Sequence, residues 1–464
     1  MSELQKKLEN FRLICSKDNI DLKDAFIFSD ILKYYFINDR PQVFSNYLIK
    51  SPSFFSKLLK AIPFDKGTKI ASDYFLFYYT LTKEDYFEVQ NEIYDYIAIP
   101  YKKWVNNSKK FLNISPLIIE KPKKKITFFS RHAVLSGMYS PSQTTFTFAE
   151  SLLKKGLNVE VIYIGNCDEN FLSLKDYANF KIHHISSYLE YNPLGAYFEL
   201  RKVLQESCTS MVFTEIEFDA PSLLSIFGAN IPVVLLSSGY YKLPWYDKIA
   251  INDVLTNDKI KMEDNYIQLP FFTSEKILNP PLDKNSREKV RESFGIKDED
   301  FLVGSFARME KFSDEYLTTC EKLLENFSQL KFIFAGPNDN YRIVNKLKTF
   351  IETNRVIVLP ESNVHLLGIA CDAGFESFPL LSGSSILELM AKNKPVISVN
   401  NINPLRDKEL NCSNDVEVID KIGKLLNDRQ FLKQKSTNAK TIIEQSIRED
   451  ELYQAIKNNF SEAC

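Results

Sequence analysis

The chain has 464 residues, with 58 Lys and Arg against 60 Asp and Glu, a formal net charge of -2 and a hydrophobic share of 44%. That length and apolar share support packed cores for about two or three domains, and the balanced charge excludes a global basic field that would draw nucleic acid or an anionic membrane. Seven scattered cysteines, Cys15, Cys167, Cys208, Cys320, Cys371, Cys412 and Cys464, form no CxxC pair, so no disulfide framework or zinc site is predicted and a reducing cytoplasm is the expected compartment.

The opening MSELQKKLENF lacks the basic-then-apolar layout of a signal peptide, and no apolar run approaches the ~20 residues that a membrane-spanning helix needs. LKDAFIFSDILKYYFI and KEDYFEVQNEIYDYIAIPYKKWV repeat apolar residues every three or four positions, which predicts a small all-helical N-terminal domain over residues 1–120. The basic run EKPKKK, Glu120 to Lys125, reads as a solvated linker. The rhythm then changes to strand, loop, helix. KITFFS is followed by the helical TTFTFAESLLKKG, closed by Gly156 as a C-terminal cap, and then by NVEVIYIG. MVFTEI, PVVLLSS and DKIAIN come next, so residues 124–270 are predicted as a Rossmann-like domain whose parallel sheet is covered on both faces. NPPLDKNSREKVRESFGI supplies a loop and a helix, with Ser286 as its N-cap and Gly295 at its end. FLVGSFAR, KFIFAG, RVIVLP, ACDAGF and PVISVN then give five strands of a second Rossmann-like domain over residues 275–440. The predicted fold class is α/β: two Rossmann-like domains facing a cleft behind the helical domain, with a helix in residues 441–464 packing back on the first.

GSFARMEKFSDEYL, KFIFAGPND and HLLGIACDAGFESFPLLSGSSILELMAKNKPVISVN together resemble the donor-binding domain of GT-B glycosyltransferases. More narrowly, FPLLSGSSILELMAKNKPVIS resembles the Phe-Pro, Gly-small-polar, acidic, Gly-x-Pro-Val run of the family shared by O-GlcNAc transferase and the bacterial cytoplasmic N-glycosyltransferases that modify adhesins. The resemblance covers roughly the last 160 residues before the tail, is diffuse in the first Rossmann half, and does not extend to the helical N-terminus. It implies transfer of a sugar from a nucleotide donor, UDP-linked, to a protein or glycan acceptor. Lys311 is implied to contact the diphosphate, Arg308 to serve as a second cation, His365 to contact the uridine part, and Glu388 to stand at the family's acidic position, seven before Pro395.

The residues support a donor site on their own chemistry. A nucleotide sugar presents two phosphates, a ribose diol and a flat base. Gly383, Ser384 and Ser385 precede a helix starting near Ile386, so their backbone N–H groups and hydroxyls suit a diphosphate at a helix N-terminus. Glu388 lies one turn further on, where a carboxylate can accept from both ribose hydroxyls. On the acceptor side, sugar transfer by inversion needs a proton acceptor, either a protein base or the donor phosphate itself. His132, in the loop SRHAVLSGMYSPSQ after the first strand, is the expected base; the related bacterial enzymes carry histidines in this loop, but here Tyr139 and Ser140 stand where a second is expected. Glu215, Glu217 and Asp219 in FTEIEFDAPS compete for that role, whereas His183 and His184 in KIHHI read as structural.

Asp298-Glu299-Asp300 has the spacing of a DxD metal motif but falls between a helix and a strand at the start of the second domain, so no metal is predicted. GxGxxG and GxxxxGK[ST] loops are absent, which sets aside NAD enzymes and P-loop NTPases. No cofactor and no nucleic-acid partner are expected. The helical N-terminal domain is the expected surface for peripheral membrane or partner-subunit contact. A retaining GT-B transferase of surface polysaccharide synthesis and a catalytically silent partner subunit are the alternative readings.

Overall fold

The computed structural model describes residues 3–37, 53–62, 94–111, 113–130, 140–164, 180–185, 193–215, 220–237, 243–252, 265–270, 278–283, 285–336, 340–360, 362–379, 383–401, 403 and 405–461. Helices α1 (Glu3–Ser16), α2 (Leu22–Ile37), α3 (Ser53–Ala61) and α4 (Ile99–Phe111) come first, α4 being entered through a π-helical turn at Tyr94–Ala98. Their apolar faces close on rings: Phe28 lies 5.2 Å from Phe11 and 4.8 Å from Phe54. This cluster runs on through Tyr101 and Val105 into Phe129, Ile162 and Val212 of the sheet that follows, so helices and sheet share one core. The connecting segment is held to the same body, with Leu117 N–H donating to the Phe227 carbonyl (2.8 Å) and Ile119 N–H to Asn230 Oδ1 (2.9 Å).

The first sheet contains β1 (Ile126–Ser130), β2 (Val159–Ile164), β3 (Lys181–Ile185), β4 (Met211–Thr214), β5 (Val233–Ser237), β6 (Lys248–Asn252) and β7 (Tyr266–Leu269), accompanied by helices α5 (Ser140–Lys154), α6 (Pro193–Ser207) and α7 (Ala220–Ser225). The strand order is β3-β2-β1-β4-β5-β6-β7 and every pairing is parallel. β1 and β2 are buried along their whole length, the signature of a parallel sheet covered on both faces. Gly156 ends α5 with φ +84°, and Leu157 N–H reaches back to the Leu152 carbonyl at 3.1 Å, satisfying an end carbonyl as a glycine cap does.

The second sheet contains β8 (Phe301–Phe306), β9 (Leu330–Ala335), β10 (Val356–Leu359), β11 (Ala373–Phe375), β12 (Val396–Val399) and β13 (Asn411–Cys412). Its helices are α8 (Ser286–Ser293), α9 (Asp314–Asn326), α10 (Tyr341–Lys346), α11 (Lys348–Glu352), α12 (Val364–Ala370), α13 (Ser384–Ala391), α14 (Asp415–Asn427) and α15 (Arg429–Ser446). The order β10-β9-β8-β11-β12-β13 is again all parallel. The five strands expected from the sequence are present, and the two-residue β13 adds a sixth. Each sheet thus has a Rossmann-type reversal of strand order, at β1/β4 in one and β8/β11 in the other.

Three local expectations are corrected. Asn285, not Ser286, occupies the N-cap of α8; the Ser286 N–H is taken by the Asp283 carbonyl at 3.0 Å, so Ser286 already lies inside the first turn. The closing helical stretch is broken at Ile447 and Arg448, between α15 and a final helix α16 (Glu449–Asn459). α15 starts earlier than the 441 boundary because Asp428 caps it, accepting from Gln430 and Phe431 N–H. The chain forms two compact units: 1–134 with 148–270 and 450–464, and 135–147 with 271–449. Within the first unit Phe460, just beyond α16, sets its ring edge-on to Phe213 at 6.1 Å. No helix among the described residues is long and apolar enough to cross a membrane.

Candidate functional site

In an open parallel sheet, ligands settle beyond the carboxyl ends of the strands where the strand order reverses. In the second unit that point is the exit of β8 beside β11. β8 runs out through Ala307 and Arg308 into a 3-10 turn, Met309–Lys311, closed by Lys311 N–H on the Arg308 carbonyl at 2.9 Å. Gly336, after β9, makes this exit possible, because a Cβ there would lie 1.8 Å from the Ala307 carbonyl oxygen. Behind the turn, Ser305 Oγ and Tyr316 OH are 2.7 Å apart, and both reach the Phe375 carbonyl, at 2.9 and 3.2 Å, locking β8, α9 and β11 together. Burial, with neighbouring groups adding to it, keeps the Tyr316 phenol protonated far above its ordinary range.

The start of α13 is tied to the same edge. Ser385 Oγ donates to the Phe306 carbonyl at 2.5 Å, so its hydroxyl proton serves the fold and what Ser385 offers a ligand is its backbone. Gly383 is the N-cap, exposed, with φ +76° and ψ -127°, a conformation that favours glycine, and no side chain caps the helix there. The exit of β8, carrying Arg308 and Lys311, and the first turn of α13 therefore occupy one edge of one sheet. That brings together two cations and the N–H groups of a helix start, the elements of an anion site.

Glu388, the next turn of α13, is 1% exposed, and among the described residues neither carboxylate oxygen accepts a hydrogen bond. Burial pushes its carboxyl up to about 7, against the pull of the Lys392 charge. Glu376, after β11, makes the contrast: it is equally buried, but Arg406 grips it at 2.7 and 2.9 Å and Asn401 donates at 2.7 Å. Glu376 is therefore a saturated structural anchor, while Glu388 is an unbonded buried acceptor, the kind of group that calls for an explanation beyond packing.

His365 enters through α12, whose cap Asn363 accepts from His365 and Leu366 N–H at 3.0 and 3.2 Å. Its Nδ1 lies 3.1 Å from Lys392 Nζ. Burial first, and the Lys392 charge second, lower His365 to about 3, so its ring is neutral at physiological pH. Lys392 was not singled out by the sequence reading. The available signals were its i, i+4 relation to Glu388 and Gly368, where a Cβ would sit 3.3 Å from the Lys392 Cδ.

In the first unit the equivalent strand ends carry Ser130, which closes β1, and Glu215, which follows β4. Ser130 Oγ donates to Glu215 Oε1 at 2.7 Å. Tyr163, fully buried, is driven up in pKa by burial and by the negative charge of Glu215. His132, Tyr139, Glu217 and Asp219 lie outside the described residues. His183 sits in β3, 3.6 Å from the buried Glu160; burial pushes that carboxyl up, but His183, Ser207, Thr127 and Lys125 hold it down to about 2. Asp298, Glu299 and Asp300 precede β8, at the opposite end from Arg308, and Asp300 pairs with Lys331 at 3.0 Å.

No protein-family model matches the sequence, and no curated protein matches it. Solved structures do. A Rickettsia africae glycosyltransferase aligns at TM-score 0.55 and 15% identity, over 74% of this chain and 99% of its own. The Anabaena protein HepE, solved with UDP and glucose, aligns at TM-score 0.53 and 16% identity over 73% of this chain and 99% of its own. A Thermobaculum terrenum O-GlcNAc transferase variant aligns at TM-score 0.50 and 11% identity, over 100% of this chain and 98% of its own. With two parallel sheets, each reversing its strand order once, this chain has the fold of the GT-B glycosyltransferases.

Proposed function

We propose that the protein is a glycosyltransferase that moves a sugar from a UDP-linked donor to a protein or glycan acceptor, with inversion and without a metal ion, in the cytoplasm. The observation that carries this reading is Glu388, a buried carboxylate with no hydrogen-bond donor among the described residues, one turn inside a helix whose start is bonded to the strand that leads to Arg308 and Lys311. A ribose diol offers that carboxylate two O–H donors. The diphosphate is assigned to Arg308, Lys311 and the backbone N–H groups at Gly383, Ser384 and Ser385, which meet the charge that grows on the leaving group as the bond from sugar to phosphate breaks. His365 is assigned to the uridine. Two structural neighbours lend support through what they are: one was solved with UDP and glucose, and another is an O-GlcNAc transferase.

The acceptor's proton is assigned to His132, with Glu215 as the competing base, oriented by the Ser130 hydroxyl. Turnover of His132→Ala and Glu215→Gln separates the two, since loss of the base lowers turnover by ~10²–10⁴-fold with UDP affinity kept. The donor reading is tested by thermal shift against UDP, ADP and GDP, with and without Mg²⁺ or Mn²⁺. UDP is expected to stabilise most and to need no divalent ion. Equal responses to the three nucleotides, or a response seen only with metal, would overturn it.

A further inference from the structure

We propose that Lys392 is a positioning residue of the donor site: by donating into Nδ1 of His365 it fixes the imidazole as the neutral Nε2–H tautomer, and so presents a hydrogen-bond donor to a carbonyl oxygen of a pyrimidine base. This inference rests on the donor reading above and adds to it a residue and a hydrogen-bond polarity. The argument starts from counting. A lysine ammonium has three N–H donors and no acceptor. Lys392 is 8% exposed, and its Nζ has three partners, the Leu278 carbonyl at 2.9 Å, the Glu388 carbonyl at 3.2 Å and His365 Nδ1 at 3.1 Å. Each donor is thus matched. Burial lowers the Lys392 amine to about 8, so below about pH 7 it is the ammonium, and a group that can only donate requires Nδ1 to accept. Nδ1 therefore carries no proton, and the neutral ring places its proton on Nε2.

The surroundings maintain this arrangement. The stem of Lys392 passes Gly368, one turn beyond His365 on α12, where a Cβ would stand 3.3 Å from Lys392 Cδ and 3.8 Å from Cε. The Leu278 carbonyl, from a segment 114 residues away in sequence, fixes the far side of the ammonium. The other charged groups packed around α12 are engaged elsewhere: Arg287 and Arg291 of α8 reach the carbonyls of residues 369–371 and Asp372, and Lys394 lies among Arg287, Arg291 and Asp372. Of these, only Lys392 acts on the imidazole. Protonating His365 would set two cations 3.1 Å apart, in keeping with its lowering to about 3. The same ammonium attracts the Glu388 carboxylate and favours its ionised, accepting form. One buried lysine thereby sets opposite polarities at two points: an acceptor toward the ribose and a donor toward the base.

The test reads the ring directly. Ligand-free protein with ¹⁵N-labelled histidine gives long-range ¹H–¹⁵N correlations for only four histidines, and His365→Gln assigns the signal. In the wild type His365 is expected as the Nε2–H tautomer, without titration between about pH 5.5 and 7, below the range in which Lys392 releases its proton. Lys392→Met keeps the stem beside Gly368 and removes the donor. There His365 is expected to show mixed tautomers and to titrate within that range, while UDP affinity by calorimetry falls about tenfold, the scale of one well-placed hydrogen bond. An Nδ1–H tautomer in the wild type, or an unchanged ring in Lys392→Met, overturns the proposal. The wild-type spectrum needs no variant, so it decides the tautomer even if Lys392→Met does not fold. Wild-type protein that shows the expected tautomer but binds no UDP overturns instead the donor reading, and with it the role toward the nucleoside.

Discussion

Replacing Glu388 with Gln separates what this carboxylate does for the fold from what it does for a ligand. The carboxyl is raised from the ordinary 4.5 to about 7, first by burial. Between those two values the native chain holds a proton that the unfolded chain has released, so stability falls as pH rises through that window and stays lowered above it. At 1.36 kcal/mol per pH unit, the deficit above pH 7 is at most about 3 kcal/mol. Gln is nearly isosteric and carries no charge. Glu388→Gln is therefore expected to be more stable than the wild type at pH 8 by up to ~3 kcal/mol, and to lose that advantage near pH 4.5, where both side chains are neutral. Thermal melts at intervals from pH 5 to 8.5 follow the effect. With UDP the sign reverses: the variant loses charge-assisted bonds worth about 1.5–3 kcal/mol each, so its UDP-induced shift shrinks. A variant less stable at pH 8, or a gain that does not fade on acidification, would refute the reasoning.

Lys311→Ala is expected to weaken UDP binding by about 1–3 kcal/mol without unfolding the second unit, and calorimetry showing unchanged affinity would make Lys311 an ordinary surface lysine. Arg406→Met leaves Glu376 buried with its guanidinium partner gone, so a loss of about 3–5 kcal/mol is expected in urea unfolding; a loss under about 1 kcal/mol would show that the pair is dispensable.

Much of the fold was readable because parallel strands buried on both faces are short apolar runs, and KITFFS, NVEVIYIG, FLVGSFAR and KFIFAG are of that kind. What escaped lacked a local signal. β13 is two residues long, and the break at Ile447 and Arg448 has neither Gly nor Pro to mark it. At the candidate site, the place of the Gly383 to Glu388 run at one helix start was legible, because it is local in sequence. The isolation of the Glu388 carboxylate and the bond from Ser385 to the Phe306 carbonyl were not, since both depend on strands far away in sequence. Lys392 escaped for a physical reason: a lysine at a helix end is ordinarily solvated, and its burial rests on Gly368 and Leu278, 24 and 114 residues away.

The return of α16 to the first unit has a consequence for dividing the molecule. The first unit is assembled from residues 1–134, 148–270 and 450–464, and the second from 135–147 and 271–449, so the units are interleaved in sequence. A single cut near residue 270 therefore does not separate them: one fragment lacks 450–464, and with it the Phe460 ring that meets Phe213, while the other lacks 135–147. Each half of the molecule in sequence carries a piece that belongs to the other half in space, and a fragment that is to fold as the first unit needs α16 joined back to it.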